Sequence, residues 1–169
     1  MPSLASVVKE IVLKDTKAWA YTQGRFPGLC HQATLFWLIM AKRGIEATPF
    51  EIAQADPILQ DLKQCGRQVL RANFSPPPAP GTVVMFLSNG APKHSCVIKD
   101  SDTLGGYNQV GWLPGGQSTR YTQNKLGDLP WIDMFKVSGT VPSTRYDLWI
   151  VTEGSALGNL EFYIKKHVK

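Results

Sequence analysis

Apolar residues recur at helical spacing through the first part of the chain. The N-terminal set follows Ser3, whose hydroxyl suits an N-cap position, and consists of Leu4, Val7, Val8, Ile11, Val12 and Trp19. Residues 24–29 interrupt this pattern with two glycines and a proline. The next run, from Cys30 to Arg43, is apolar on almost every side and is followed by Gly44, a residue type that commonly ends helices. The sequence therefore predicts an amphipathic first helix and a buried central helix that begins at Cys30.

Beyond the central helix, the pattern predicts one more helix and then a sheet. Apolar positions in residues 56–72 keep the helical spacing. Residues 75–81 form a proline-rich connector, which helix interiors and central strands do not tolerate. Short β-branched or aromatic segments bounded by turn residues then predict strands at 82–88, 94–100, 106–112 and 146–152. The C-terminal segment fits a helix or a strand equally well.

This order of elements predicts a single α+β domain over residues 1–169, with a helical half at about 1–74, the connector at 75–81 and a sheet half at 82–169. The chain has 169 residues, of which 43% are hydrophobic and 18% charged, and this composition is typical of a folded domain. The net charge is +5, but no basic run exceeds two residues and no basic helix face alternates with aromatic residues. We therefore expect no nucleic-acid partner.

Neither a Sec signal nor a membrane span is expected. The N-terminal segment places Lys and Glu among its apolar positions and lacks the uninterrupted apolar core of a signal peptide. No apolar stretch reaches the length of about 18 residues that a spanning helix needs. If the protein acts outside its cell, we expect a dedicated secretion machine to carry it.

The three cysteines cannot all pair within the chain, so at least one free thiol is expected. Cys30 stands out because the first turn of a helix combines a positive dipole end with unpaired backbone N–H groups. These lower the pKa of a thiol and can bind an oxyanion, to which Gln23 could add a donor. The alternative is that Cys30 is a small packing residue, as most free cysteines are. Cys65, in the third helical pattern, is expected to pack, and Cys96 to line the core or the site.

A cysteine nucleophile needs a base, and His94 is the histidine best placed to supply one. It is predicted to open a strand after the turn at residues 89–92, and strand alternation puts His94 and Cys96 on one face and Ser95 on the other. His31 adjoins Cys30, but on a helix consecutive side chains point about 100° apart. His167 lies in a charged tail.

An orienting residue for His94 is predicted at one of two positions. Asn108 lies on the next predicted strand, where it could stand beside His94, and Asp133 is an acidic residue among large apolar ones. A zinc site is not expected, because the adjacent Cys30-His31 pair and the His94-x-Cys96 spacing do not match those of chelating pairs. No phosphate-binding glycine loop is present either, so neither a metal nor another cofactor is expected.

Taken in order, these segments resemble the papain-like cysteine hydrolases over roughly residues 27–112. Residues 80–86 resemble the Pro-Gly-Asp-hydrophobic strand of the bacterial NlpC/P60 and CHAP amidases, and residues 94–98 resemble their Gly-His-Val-hydrophobic strand. The helix opening with Gly28, Cys30, Thr34 and Trp37 is similar to that of effector cysteine proteases injected by bacterial pathogens. The resemblance implies a papain-like α+β fold in which N-terminal helices, one of them starting at the nucleophile, pack on an antiparallel sheet.

The chain departs from the amidase pattern in ways that favour a diverged toxin or effector. Thr82 replaces the usual Asp, Lys93 replaces the usual Gly before the histidine, and the Asp-Cys-Ser-Gly setting of NlpC/P60 is missing around Cys30. We expect Gly28, Lys93 and Trp112 to contact substrate.

The resemblance implies a cysteine hydrolase with a triad of Cys30, His94 and Asn108 or Asp133. Such an enzyme would be made in the bacterial cytoplasm and exported to a target cell. An exported toxin or effector could have a secretion partner or an immunity partner. Its substrate could be a peptide, a peptidoglycan amide or a target-protein amide. A protein deamidase acting on glutamine or asparagine, and a catalytically silent binding module, remain the alternatives.

Overall fold

The computed structural model describes residues 3–13, 30–69, 79–98, 103–108, 120–125 and 147–169. Its α-helices are α1 (Leu4–Leu13), α2 (Cys30–Arg43), α3 (Pro49–Ile52), α4 (Ala55–Leu62) and α5 (Glu153–His167). A 3-10 turn at Lys63–Cys65 follows α4. The strands are β1 (Arg67–Val69), β2 (Val83–Ser88), β3 (Ala91–Ile98), β4 (Thr103–Asn108), β5 (Arg120–Lys125) and β6 (Asp147–Val151).

The described strands form one sheet in the order β1-β6-β2-β3-β4-β5, and every neighbouring pair is antiparallel. Strand β2 is central. Its residue Val83 lies opposite Val97 of β3 on one side and Val151 of β6 on the other. The prediction of an α+β fold with an antiparallel sheet is therefore confirmed.

The central helix α2 begins at Cys30 and ends at Arg43, as the sequence predicts. Gly44 closes it with a φ of 74°, a conformation that glycine adopts without a Cβ penalty, and its N–H donates to the carbonyl of Met40 at 2.8 Å. The predicted cap of α1 is confirmed too, because the Ser3 hydroxyl accepts from the Ser6 N–H at 3.1 Å.

The hydrophobic core lies between the helices and one face of the sheet. Trp37 and Phe36 of α2 are fully buried there, and alternate residues of the central strand point toward them. The opposite face of β2 is buried as well, since Val84 and Phe86 have no exposed surface. The sheet residues in the core cluster are Val83, Met85, Leu87, Val97 and Val151.

The third predicted helix is wrong beyond residue 62. Helix α4 ends at Leu62, and the chain passes through the 3-10 turn into β1, which pairs with β6. Gly66 permits this close approach, because a Cβ on it would lie 2.2 Å from the backbone oxygen of Ile150. An edge strand therefore comes from the predicted helical half.

Cys65 lies in the 3-10 turn rather than in a helix. Its side chain is half-buried, and its sulfur is 3.5 Å from the Tyr163 hydroxyl.

Further differences arise in the predicted sheet half. Strand β4 begins at Thr103 rather than at 106, and β5 (Arg120–Lys125) lies outside every predicted strand. The undecided C-terminal segment is helix α5, capped by the Thr152 hydroxyl, which accepts from the Ser155 N–H at 3.3 Å. Strand β3 starts at Ala91, three residues earlier than predicted. Asn89 and Gly90 both have positive φ, 54° and 79°, and so form a tight two-residue hairpin turn rather than a four-residue one.

Candidate active site

Cys30 is the first residue of α2 and lies against strand β3. Its side chain is half-buried, and its sulfur is 3.8 Å from the backbone carbonyl oxygen of Lys93. The first backbone N–H groups of a helix have no partner within that helix and carry its positive dipole end. The thiol therefore sits beside the residue that precedes His94 and next to groups that favour a negative charge.

His94 lies within strand β3 rather than at its start. It is the fourth residue of β3, not the first as predicted, and only 5% of it is exposed. It lies opposite Phe86 of β2, and the two rings are 5.6 Å apart, centroid to centroid, with a tilt of 41°. Its neighbour Ser95 contacts Thr34 of α2 instead, so the predicted alternation of the two faces is confirmed.

The environment of Cys30 favours the thiolate. Burial by itself raises the pKa of the thiol, but the interactions of the sulfur with His31 and His94 and the positive charge of the two rings outweigh it. The pKa falls from 9.0 to about 5 as a result. Thiolate is the nucleophilic form of cysteine, so the site is suited to attack on an electrophilic carbon.

His31 also belongs to this site, contrary to the expectation that it points away from Cys30. Its Nδ1 lies 2.8 Å from Ser95 Oγ, and its Nε2 lies 3.1 Å from the carbonyl oxygen of Pro92. Both partners are on β3, and they turn the ring toward the strand that carries His94. Helical side chains also lean toward the N-terminus of their helix, where Cys30 lies. The sequence did contain a signal, because His31 and Thr34 are polar residues at i, i+3 spacing within an apolar helix.

Cys96 is a free thiol buried close to the same site. Burial raises its pKa well above 9.0, and the negative charge of Cys30 raises it further. A buried thiol of high pKa is inert as a nucleophile. Cys30, by contrast, combines a lowered pKa with a partly exposed side chain.

Lys93 lies directly beside Cys30. Its side chain is exposed and its backbone carbonyl faces the sulfur. A contact between Lys93 and substrate stays a prediction, but this position is compatible with one.

The candidate Asn108 is the last residue of β4, which confirms that the next strand carries it. Strand β4 pairs with β3 through Val97 opposite Gly105 and Ile98 opposite Leu104. In an antiparallel pair the register continues with a constant sum of residue numbers, which would bring position 108 level with position 94. The side chain of Asn108 lies outside the described part of the chain.

The other predicted site residues fall in segments that the structure does not describe: Gln23, Gly28, Trp112 and Asp133. Their roles as oxyanion donor, substrate contacts and alternative orienting residue stay predictions. Within the described ranges, no group of three or more metal-ligating side chains is placed to hold an ion. No helix in these ranges is long and apolar enough to cross a membrane.

Comparison of the chain with protein-family models, with curated proteins and with solved structures found no match.

Proposed function

We propose that this protein is a papain-like cysteine hydrolase in which Cys30 is the nucleophile and His94 the general acid and base. The observation that carries the proposal is the placement of a partly exposed thiol at the start of a buried helix, where two imidazole rings lower its pKa to about 5. A purely structural cysteine needs no such setting. The helix-on-sheet arrangement is also the one that the papain-like resemblance implies.

The chemistry follows from the positions of these groups. The Cys30 thiolate attacks the carbonyl carbon of an amide, and backbone N–H groups at the start of α2 stabilise the resulting oxyanion. Protonated His94 gives its proton to the amide nitrogen, the amine leaves, and a thioester remains on Cys30. His94 then takes a proton from water, which attacks the thioester carbonyl. The carboxylate product is released and the thiolate is restored.

In this proposal the orienting residue for His94 is Asn108, whose strand lies beside β3. Asp133 is the alternative, and Gln23 is proposed as an additional oxyanion donor. The physiological substrate is a peptide, peptidoglycan or target-protein amide. The proposal extends the resemblance to a bacterial toxin or effector that a dedicated machine exports to a target cell.

The test uses p-nitrophenyl acetate, an activated ester that a reactive thiolate attacks whatever its natural substrate is. We expect a burst of one nitrophenolate per protein molecule, followed by turnover. Cys30→Ser should abolish the burst, and His94→Asn should slow turnover by about 100-fold or more. His167→Asn is the matched control, since His167 pairs with Asp61 instead of Cys30. Acylation no faster than that of glutathione would favour a catalytically silent binding module. A burst that survives in Cys30→Ser would show that Cys30 is not the nucleophile.

Amide substrates then separate the two kinds of hydrolase. Casein, purified peptidoglycan and a panel of host-protein extracts are incubated with wild type and with Cys30→Ser. New termini that depend on Cys30 identify a peptidase or a peptidoglycan amidase. Ammonia release with a mass increase of about 1 Da and no new terminus identifies a deamidase.

A further inference from the structure

Both nitrogen atoms of the His31 ring lie against oxygen atoms. Nε2 is 3.1 Å from the carbonyl oxygen of Pro92, and Nδ1 is 2.8 Å from the hydroxyl oxygen of Ser95. A backbone carbonyl only accepts hydrogen bonds, so Nε2 must carry a proton and donate.

The state of Nδ1 follows from the other contact of Ser95. The Ser95 hydroxyl donates to Thr34 Oγ1 at 3.0 Å, so its oxygen is left to accept from Nδ1–H. A neutral imidazole has only one N–H group, whereas the imidazolium has two. The network of Pro92, Ser95 and Thr34 therefore selects the positively charged form of His31.

The charges around the ring act in the same direction. Burial lowers the pKa of His31, but the adjacent Cys30 with its negative charge, the Pro92 carbonyl and the charge of Asp56 raise it above its ordinary value. Among the described residues, the other charged or titratable groups near this part of β3 are His94, which also contacts Cys30, and the buried thiol of Cys96. Lys93 has an exposed side chain, and the Lys63 ammonium donates to the Gly90 carbonyl at the turn before β3.

We propose that His31 is a positioning residue that stays protonated and acts as a fixed cation beside Cys30, so that the thiolate persists when His94 loses its proton. The catalytic role of His94 in this arrangement rests on the proposed function. The effect of His31 on the ionisation of the Cys30 thiol does not. With a single histidine partner, a cysteine loses its stabilising charge as soon as that histidine deprotonates. With two histidine partners, His94 can exchange protons while the charge of His31 keeps the Cys30 thiol ionised.

The test is the pH dependence of alkylation by iodoacetamide, measured in a Cys65→Ser background, where Cys30 is the accessible thiol. In the background protein, the rate of alkylation should rise with pH with a midpoint at about pH 5. His94→Asn should keep a midpoint below 7, whereas His31→Asn should raise it by at least about one pH unit, a tenfold change in the ionisation constant. Ser95→Ala removes the acceptor of Nδ1 without touching either histidine, so it should raise the midpoint in the same direction.

His31→Gln provides a second variant if His31→Asn does not fold, because its amide can still donate to the Pro92 carbonyl but carries no charge. It should also raise the midpoint, and near-ultraviolet circular dichroism checks that each variant is folded. A midpoint that His31→Asn, His31→Gln and Ser95→Ala leave within about 0.3 pH units of the background protein would overturn the inference. Because alkylation needs no substrate, this failure is distinguishable from failure of the proposed hydrolase, which the ester burst reports.

Discussion

The Phe86 ring packs against the His94 ring, with centroids 5.6 Å apart, on directly opposed residues of the two central strands β2 and β3. Phe86 has no exposed surface and His94 only 5%. Each ring therefore restricts the rotamers that the other can adopt. The sheet not only carries the candidate base but also fixes the direction in which its imidazole faces.

Replacing Phe86 by leucine should therefore loosen His94 without removing it. We expect Phe86→Leu to lower the turnover of p-nitrophenyl acetate several-fold at a cost of about 1–2 kcal/mol in the free energy of unfolding. Met85→Leu is the matched control, since Met85 is equally buried but points toward the helices. Equal turnover in the two variants would show that Phe86 does not position His94.

The thiols of Cys30 and Cys96 should react at rates set by their surroundings. At pH 6 the Cys30 thiol, with a pKa of about 5, is ionised and partly exposed, so iodoacetamide should label it. Cys96, which is fully buried with its pKa raised well above 9.0, should remain unlabelled until guanidinium unfolds the protein. Peptide mapping by mass spectrometry after timed labelling measures both rates. Labelling of Cys96 in the folded protein as fast as Cys30 would contradict this order.

Replacing glycine by alanine should have opposite effects on stability at two positions, Gly66 and Gly158. Gly66→Ala would place a Cβ 2.2 Å from the Ile150 backbone oxygen, so strands β1 and β6 would have to separate. Gly158 lies inside α5 with nothing within 4 Å of its would-be Cβ, so Gly158→Ala should stabilise the protein by about 0.5–1 kcal/mol. Thermal unfolding should show Tm falling for the first variant and rising for the second. A Gly66→Ala protein as stable as wild type would mean that β1 does not need this close approach.

The C-terminal end of α5 should depend on the ionisation of Asp61. This carboxylate accepts from His167 Nε2 at 2.6 Å and from Lys166 Nζ at 3.0 Å. Burial raises the pKa of Asp61, but these two donors and their charges lower it below 3.8 overall. The unfolded state thus binds the proton more readily, so the stabilisation is present above pH 3.8 and is lost as the pH falls through the folded-state pKa.

Asp61→Asn should consequently cost about 1 kcal/mol in the free energy of unfolding at pH 6, and this difference from wild type should shrink as the pH falls below about 4. Urea unfolding at a series of pH values measures it. Asp147→Asn, which makes the same change of charge at an exposed position, is the comparison. A difference that is constant from pH 3 to pH 7 would show that the Asp61 pairs do not contribute.

Local patterns predicted the central helix well, because its signals lie within a few residues of one another. The glycines and proline of residues 24–29, a continuous apolar run and Gly44 define α2, and its observed bounds match. The β3 strand and its alternation were predictable for the same reason. The start of β3 was misplaced only because the Asn89-Gly90 dipeptide makes a two-residue turn, a local rule that places Ala91 in the strand.

The errors arose where tertiary contacts override local preference. Residues 67–69 have no strong strand signal of their own, and they become β1 because β6 offers a free edge and Gly66 lets the backbones approach. The hydrophobic period of the C-terminal segment fits a helix or a strand. In the structure it forms helix α5, which packs against α4 and α2.

The sequence by itself determined that a cysteine begins a buried helix and that a histidine lies on a strand of an antiparallel sheet, because both follow from short-range patterns of apolar and turn residues. Only the tertiary structure decided that Cys30 and His94 come together, and that His31 joins them through Pro92 and Ser95. The reason is physical: a hydrogen bond between residues more than 60 positions apart depends on how a helix seats on a sheet, and no local periodicity encodes that distance.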